Sequence, residues 1–276
     1  VAGGLPYNQV FPAHNELKFS TYTLDSALAF DRKYAKKARV DVVSKTFTRM
    51  AQEVMLKQER TAFNVLATAL VGGDSISATA GDHIIAAAGS NLVLDDFNNL
   101  ITKSKRINSS FVGGTPVGGS KVGVTDLLVS PEVVEDIRAM AYNPVNTRQA
   151  TSGTTSMAAP EELRSQLYSA AGLPSFYGIN IIEVLELGSG QRFNKIFDAV
   201  KGGVSFTEAS EQILIGVDRS RDALLRPVVL DEGSTGELNV LVDDQFSVRQ
   251  NKIGYYGKVE EGRVCIDDRA LCGIIL

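Results

Sequence analysis

The period of the apolar positions changes once in the first third of the chain. In NELKFSTYTLDSALAF, Leu17, Phe19, Thr21 and Thr23 alternate weakly, which predicts an extended or irregular stretch. From SKTFTRM onward, Phe47, Met50, Ala51, Val54, Ala62, Val65 and Ala69 recur at helical spacing. They predict one long helix, capped by Ser44 and stopped by Gly72-Gly73. No glycine or proline interrupts the chain from Ala13 to Val71. A helix of about 28 residues spans about 42 Å, against about 11 residues for an ordinary globular helix. The heptad seam breaks at Lys57 and Gln58, so the helix reads as a rod across an elongated subunit rather than a coiled-coil arm. Val54 and Val65 both fall on its core-facing stripe, and aspartate at either is expected to damage folding.

Shorter elements follow. DDFNNLITKSKRIN predicts a helix with Asp95 and Asp96 at its positive end and Lys103, Lys105 and Arg106 at its negative end. Leu127, Leu128 and Val129 form a short apolar strand. Ser130 is a good N-cap, Pro131 suits the first helical position, and Val133, Val134, Ile137 and Ala141 make one helical face. YNPVNTRQATSGTTSMA is a polar loop, PEELRSQLYSAAG a helix begun by Pro160 and ended by Gly172, and GINIIEVLEL a second apolar strand. Beyond it, EQILIGVDR, ALLRPVVL, ELNVLVDD, QFSVRQNKIGYYG and GRVCIDDRALCGIIL are strand-like and punctuated by glycine and paired aspartates. With no clean linker and no repeat, this is one α+β chain with an extended N-terminal third.

Composition narrows the class. The 276 residues are 44% hydrophobic, enough for a sizeable core, and carry a net charge of -4 with a sequence pI of about 5.4. A protein that coats nucleic acid by neutralising phosphates needs a basic excess. Locally the balance reverses: nine basic and four acidic residues between Asp31 and Arg60 give +5, leaving -9 elsewhere. Either this is a solvated helix face, or it is a basic arm that docks on an acidic neighbour such as another copy of the chain. On the second reading Arg32, Lys33, Lys36, Lys37 and Arg39 are candidate inter-subunit contacts. The two cysteines, Cys265 and Cys272, form no disulfide framework and suit small apolar positions in strands. No apolar run approaches the roughly 20 residues that cross a bilayer. The start at Val1, without methionine, reads either as a numbering start or as the product of a maturation cleavage.

Chemistry finds no carrier. VGGTPVGGSK, from Val112 to Lys121, has the glycine content of a phosphate loop, but Lys121 comes one place late and no hydroxyl follows it. It also lies between a helix and a strand, the reverse of the phosphate-loop order, and reads as a flexible joint. His14 and His83 are far apart and in no metal-ligand spacing, and no G-x-S-x-G elbow is present. The pairs Asp95-Asp96, Glu161-Glu162, Asp243-Asp244 and Asp267-Asp268 read as helix starts and turns, with an acid/base pair as the alternative. No catalytic, cofactor or metal residue is assigned.

Four strings carry a resemblance: TDLLVSPEVVEDIRAMAYNP, GLPSFYGINIIEV, EQILIGVDRSRDALLRPV and QNKIGYYGKVEEGRVCIDDRALCGIIL. In this order and spacing the chain from Asp95 to Leu276 resembles the major capsid protein of tailed bacteriophages, the Hong Kong 97-type fold. The resemblance implies an N-terminal arm and extended loop over 1–43 and a peripheral domain with its spine helix over 44–124. It implies an axial domain over 125–230 and a return to the peripheral domain over 231–276. It also implies hexamers and pentamers of an icosahedral virion shell around double-stranded DNA held by non-specific confinement, assembled in the host cytoplasm with no membrane. Portal, scaffolding or protease, and decoration proteins are the implied partners beside the chain itself. The alternatives are an encapsulin-like compartment shell and, from another class, a soluble enzyme with an unrecognised acid/base site.

Overall fold

The computed structural model describes residues 18–33, 40–74, 79–87, 89–109, 123–142, 175–176, 178–230, 237–243 and 250–276. Within them two sheets share one long helix. The first sheet has four strands. β1 (Tyr22–Asp31) pairs antiparallel with β10 (Lys252–Glu261) along all ten residues of each. The other edge of β10 is shared by β9 (Asn239–Asp243) and β8 (Val228–Val229). The second sheet has six strands in the order β2-β12-β6-β3-β5-β4. These are β2 (Ile84–Ala86), β12 (Leu271–Ile275), β6 (Ile213–Val217), β3 (Asp126–Val129), β5 (Ile179–Glu183) and β4 (Ser175–Phe176). β3 and β5 run parallel, as do β2 and β12, while β6 is antiparallel to both of its neighbours. A ribbon of β7 (Leu224–Leu225) and β11 (Val264–Cys265) stands apart.

The six-stranded sheet is buried on both faces, which is why its central strands read as unbroken apolar runs, ILIG and LCGII. Alternation divides them cleanly. Leu214, Cys272 and Ile274 point to a core shared with α2 (Leu94–Ser109) and α3 (Pro131–Tyr142), through Phe97, Leu100, Val133 and Ile137. Ile213, Ile215, Leu271 and Ile275 point the other way, to α1 (Val40–Gly72) and α4 (Arg192–Val200), through Phe63, Leu66, Leu70 and Phe197. The sheet is thus a middle layer between two helical ones.

α1 joins the two sheets. Its N-terminal half lies on the four-stranded sheet, where Phe47 meets Tyr255 edge-on at 4.7 Å and Met50 packs over Gly257. Its C-terminal half lies on the six-stranded one. At 33 residues it is a rod of about 50 Å. The rod was expected, but its start was not. The helix begins at Val40, and Ser44 lies inside it, with its carbonyl receiving the Thr48 hydroxyl at 3.1 Å. Helix propagation through Val40–Val43 displaces the cap that Ser44 offered, because each added residue gains a backbone bond once the helix is nucleated.

Other expectations meet the structure element by element. Ser130 caps α3, its Oγ accepting from Val133 N at 3.3 Å, and Pro131 opens the helix. Asp95 and Asp96 sit in the first turn of α2. ALLRPVVL is not one strand: it breaks at Arg226-Pro227 into β7 and β8, as a residue without an N–H forces. In QFSVRQNKIGYYG the described strand runs from Lys252 and continues to Glu261, while 245–249 lie outside the described residues. The polar loop after Tyr142, the helix expected from Pro160 and the glycine-rich joint at Val112 to Lys121 lie outside the described residues. α4 had no sequence forecast.

α1 ends against a fixed obstacle. A Cβ on Gly73 would collide with Nδ1 of His83, a fully buried residue whose backbone carbonyl accepts from Gly273 N at 3.0 Å. Gly73→Ala is therefore expected to cost about 1–3 kcal/mol through overpacking. Thermal unfolding followed by circular dichroism checks it, as a melting temperature several degrees lower with an unchanged spectrum.

Candidate functional site

Of the basic positions singled out by charge, Arg32 and Lys33 stand at the end of β1, both exposed. The backbone N–H of Arg32 donates to Asn251 O at 3.2 Å, extending the β1–β10 ladder by one step. Lys36, Lys37 and Arg39 lie outside the described residues. The structure thus places two of the five at the open end of the β1–β10 ribbon.

The strongest electrostatic constellation lies at the other end of that ribbon. Glu261 closes β10, directly opposite Tyr22 in register, and its side chain is fully buried. Oε2 accepts from Arg226 Nε at 2.7 Å and from Gln58 Nε2 at 3.2 Å. Oε1 accepts from the Tyr22 hydroxyl at 2.8 Å and from Arg263 at 3.3 Å. Arg226 also forks onto Glu237, at 2.7 and 3.2 Å. Five pieces of chain meet here: β1, α1, the β7–β8 break, β10 and the turn into β11. Burial pushes the Glu261 carboxyl up, but the hydrogen bonds of Arg226 and Tyr22 and the charges of Arg263 and Arg226 outweigh it, so the group ends below the ordinary glutamate range. Burial and then Glu261 raise the Tyr22 hydroxyl. A carboxylate held ionised in this way cannot serve as a general acid near neutral pH; it is a knot.

Beside the knot a cleft of about 650 Å³ opens between α1, the β5–α4 connection and the β7–β11 ribbon. Phe63 and Phe193, stacked with centroids 4.2 Å apart, lie in its wall with Leu66 and Leu128. Leu185, Leu224 and Leu225 line it and are exposed. Its charged rim is largely committed: Glu186 to Arg60 by a two-pronged pair at 3.1 and 3.2 Å, and Arg226 and Arg263 to Glu261. The cleft offers burial of apolar surface more than acid–base chemistry.

Exposed aliphatic side chains continue beyond it. Val229 and Leu230 are exposed, as are Val240, Leu241 and Val242, consecutive in β9. Among the described residues β9 pairs with one strand only, β10, and none lies along its other side.

The remaining titratable candidates among the described residues sit in structural positions. His83 is buried beside the end of α1; burial pushes its imidazole below the ordinary range, against the opposing pull of Asp268 and Asp82. Burial lifts the Cys272 thiol to about 12 within the sheet core and also raises Cys265, as befits small apolar residues in strands. Asp267 caps a short 3-10 turn at Asp268–Ala270, accepting from Arg269 N at 3.1 Å. Asp243 ends β9. Asp244, Glu161, Glu162 and His14 lie outside the described residues. Among the described residues no cluster of three or more His, Cys, Asp or Glu could hold a metal ion, and no helix is long and apolar enough to cross a membrane.

Sequence reasoning missed the knot. Glu260-Glu261 is a further acidic pair, and the alternation of Gly257, Val259 and Glu261 along β10 puts the glutamate on the buried face. That parity was the available signal.

No protein-family model matches the sequence, and no curated protein matches it. Solved structures do. The capsid of cyanophage P-SCSP1u matches with a TM-score of 0.54 at 10% identity, covering 98% of this chain and 80% of that one. The SrpI encapsulin of Synechococcus elongatus PCC 7942 matches at 0.53 and 11%, covering 94% and 75%. The head of Helicobacter pylori bacteriophage KHP40 matches at 0.52 and 13%, covering 92% and 74%. At these identities the likeness is one of fold: the chain has the mixed α+β Hong Kong 97-type fold.

Proposed function

We propose that this chain is a shell-forming structural protein, the major capsid protein of a tailed-bacteriophage-type virion. Copies would join into hexamers and pentamers of an icosahedral shell enclosing double-stranded DNA. What supports it is a fold that matches a phage capsid over 98% of the chain, with the cyanophage P-SCSP1u shell as the example. The overall charge of -4 suits DNA confined without a basic coat. Rings of identical subunits follow from head-to-tail contacts that close. The protein's work on this reading is contact rather than catalysis, in the virion, with assembly in the host cytoplasm. Portal, scaffolding or protease, and decoration proteins are its proposed further partners. The proposed division keeps the arm and extended loop at 1–43, the peripheral domain at 44–124 and the axial domain at 125–230. The segment 231–276 completes both sheets through β9, β10 and β12.

A second reading, a cargo compartment shell, is favoured by the match to the SrpI encapsulin. Negative-stain microscopy of the expressed full chain tests both: hollow particles or rings support a shell, and lone molecules at high concentration count against it. The contents of particles purified from the native source, DNA or protein cargo, separate the two.

The basic segment is the proposed arm contact. Replacing Lys33, Lys36 and Lys37 together with glutamate is expected to lower particle yield about tenfold or more, since it opposes like charges at a docking surface. Circular dichroism of the subunit should be unchanged, and particles in normal yield refute the contact.

A further inference from the structure

We propose that the open edge of β9 pairs antiparallel with β9 of a second copy across a local two-fold axis, joining two four-stranded sheets into one. The inference rests on the shell reading only for the supply of second copies.

The edge itself selects a strand as occupant. Along Val240–Val242 no strand among the described residues pairs with β9 on the side away from β10. Edge strands of soluble proteins are usually guarded by lysine, proline or a bulge. Asn239–Asp243, NVLVD, carries neither lysine nor proline and pairs with β10 in unbroken register. Val240, Leu241 and Val242 are 39%, 54% and 64% exposed, so apolar side chains stand free on both faces of the strand. A docked helix would cover one face and leave the edge unpaired. A second strand satisfies the edge and shields both faces.

The sequence of β9 then selects its own copy. In an antiparallel pair centred on Leu241, Leu241 faces Leu241, Val240 faces Val242, and Asn239 faces Asp243. Every aliphatic position meets an aliphatic one, and no two like charges are opposed. Shifting the register by two residues breaks that match, setting Leu241 against Asn239 or Asp243. Val242 and Val240 are the register partners of Tyr255 and Gly257, on the face that carries Phe47 and Met50 of α1. Two copies so joined form a four-valine cluster continuous with that packing. On the opposite face Leu241 lies beside Tyr256, whose hydroxyl donates to Asp25 at 3.3 Å.

Residues directly opposite in an antiparallel pair have Cα atoms about 4.5 or 5.5 Å apart, both inside the range of about 4.4–6.8 Å that a disulfide spans. Leu241→Cys in the full chain, oxidised at assembly concentration and run on a non-reducing gel, is expected to give covalent dimer. Val240→Cys alone should give about tenfold less, because two such cysteines lie roughly 8 Å apart in this register. Protein carrying Val240→Cys mixed with protein carrying Val242→Cys should crosslink again. The unmutated chain, with Cys272 buried and Cys265 half-buried, sets the background. Microscopy of the same samples separates the two claims. Dimer at Leu241 supports the pairing with or without particles. Particles without that dimer, or equal crosslinking at Val240 and Leu241, overturn it while the shell reading stands. Absence of both dimer and particles overturns both.

Discussion

Glu261→Ala is expected to lower folding stability by about 3–5 kcal/mol, the range for removing one partner from a buried charged network. The loss comes less from the bonds themselves than from what they leave behind. Arg263 is only 18% exposed at its side chain, and it would remain in a site built for a carboxylate. Arg226 keeps Glu237, so its charge stays paired on that side. Tyr22→Phe removes a single neutral donor and should cost about 1 kcal/mol. Chemical denaturation of the three proteins checks the ordering, with Glu261→Ala well below Tyr22→Phe.

The same knot sets an acid limb. The folded-state Glu261 carboxyl lies below its ordinary range, so the unfolded chain binds the proton more readily than the folded one. Stability from this group is complete above the ordinary carboxylate range and drains as pH falls through the lowered folded value. His83 acts in the same direction at higher pH, because burial also holds its pKa down and the folded state resists protonation. Melting temperature should therefore fall as pH drops below the ordinary histidine range, and fall again below the ordinary glutamate range. In Glu261→Gln the protein starts lower at neutral pH and the second limb flattens. An acid limb identical to that of the unmutated protein would remove Glu261 as its source.

How much of this was legible depended on the range of the contacts. The helix over Val40–Gly72 could be read because its stripe is local and long, and Ser130-Pro131 because cap and first turn lie within a few residues. Strands buried on both faces announced themselves as ILIG and LCGII, but nothing local said that β12 would insert between β2 and β6. The pairing of Tyr22 with Glu261 spans 239 residues. No periodicity carries such a partner. Nothing local marks Arg226 and Arg263 as partners of one carboxylate; the fold puts Glu261 between them. The open edge of β9 is likewise a property of topology: NVLVD alone cannot say whether both of its edges will be filled.

Periodicity puts Val54 and Val65 alike on the core-facing stripe, with damage to folding expected from aspartate at either; the structure separates them. Val54 is 8% exposed and one turn beyond Met50 on the covered face of α1. Aspartate there loses the burial of a valine, about 1.5–3 kcal/mol, and adds the cost of a desolvated carboxyl, about 1–3 kcal/mol. A loss of about 3–5 kcal/mol is expected, with unfolding or aggregation on expression at the upper end. Val65 is half-buried in the wall of the open cleft, where a carboxylate can turn toward water. About 1–2 kcal/mol is expected there, with the circular dichroism spectrum retained. A helical stripe gives direction but not depth: depth is set by what lies opposite, which is closely packed chain at Val54 and solvent at the mouth of the cleft beside Val65. Parallel denaturant melts decide the matter, and equal losses at the two positions would mean that the cleft is closed in solution.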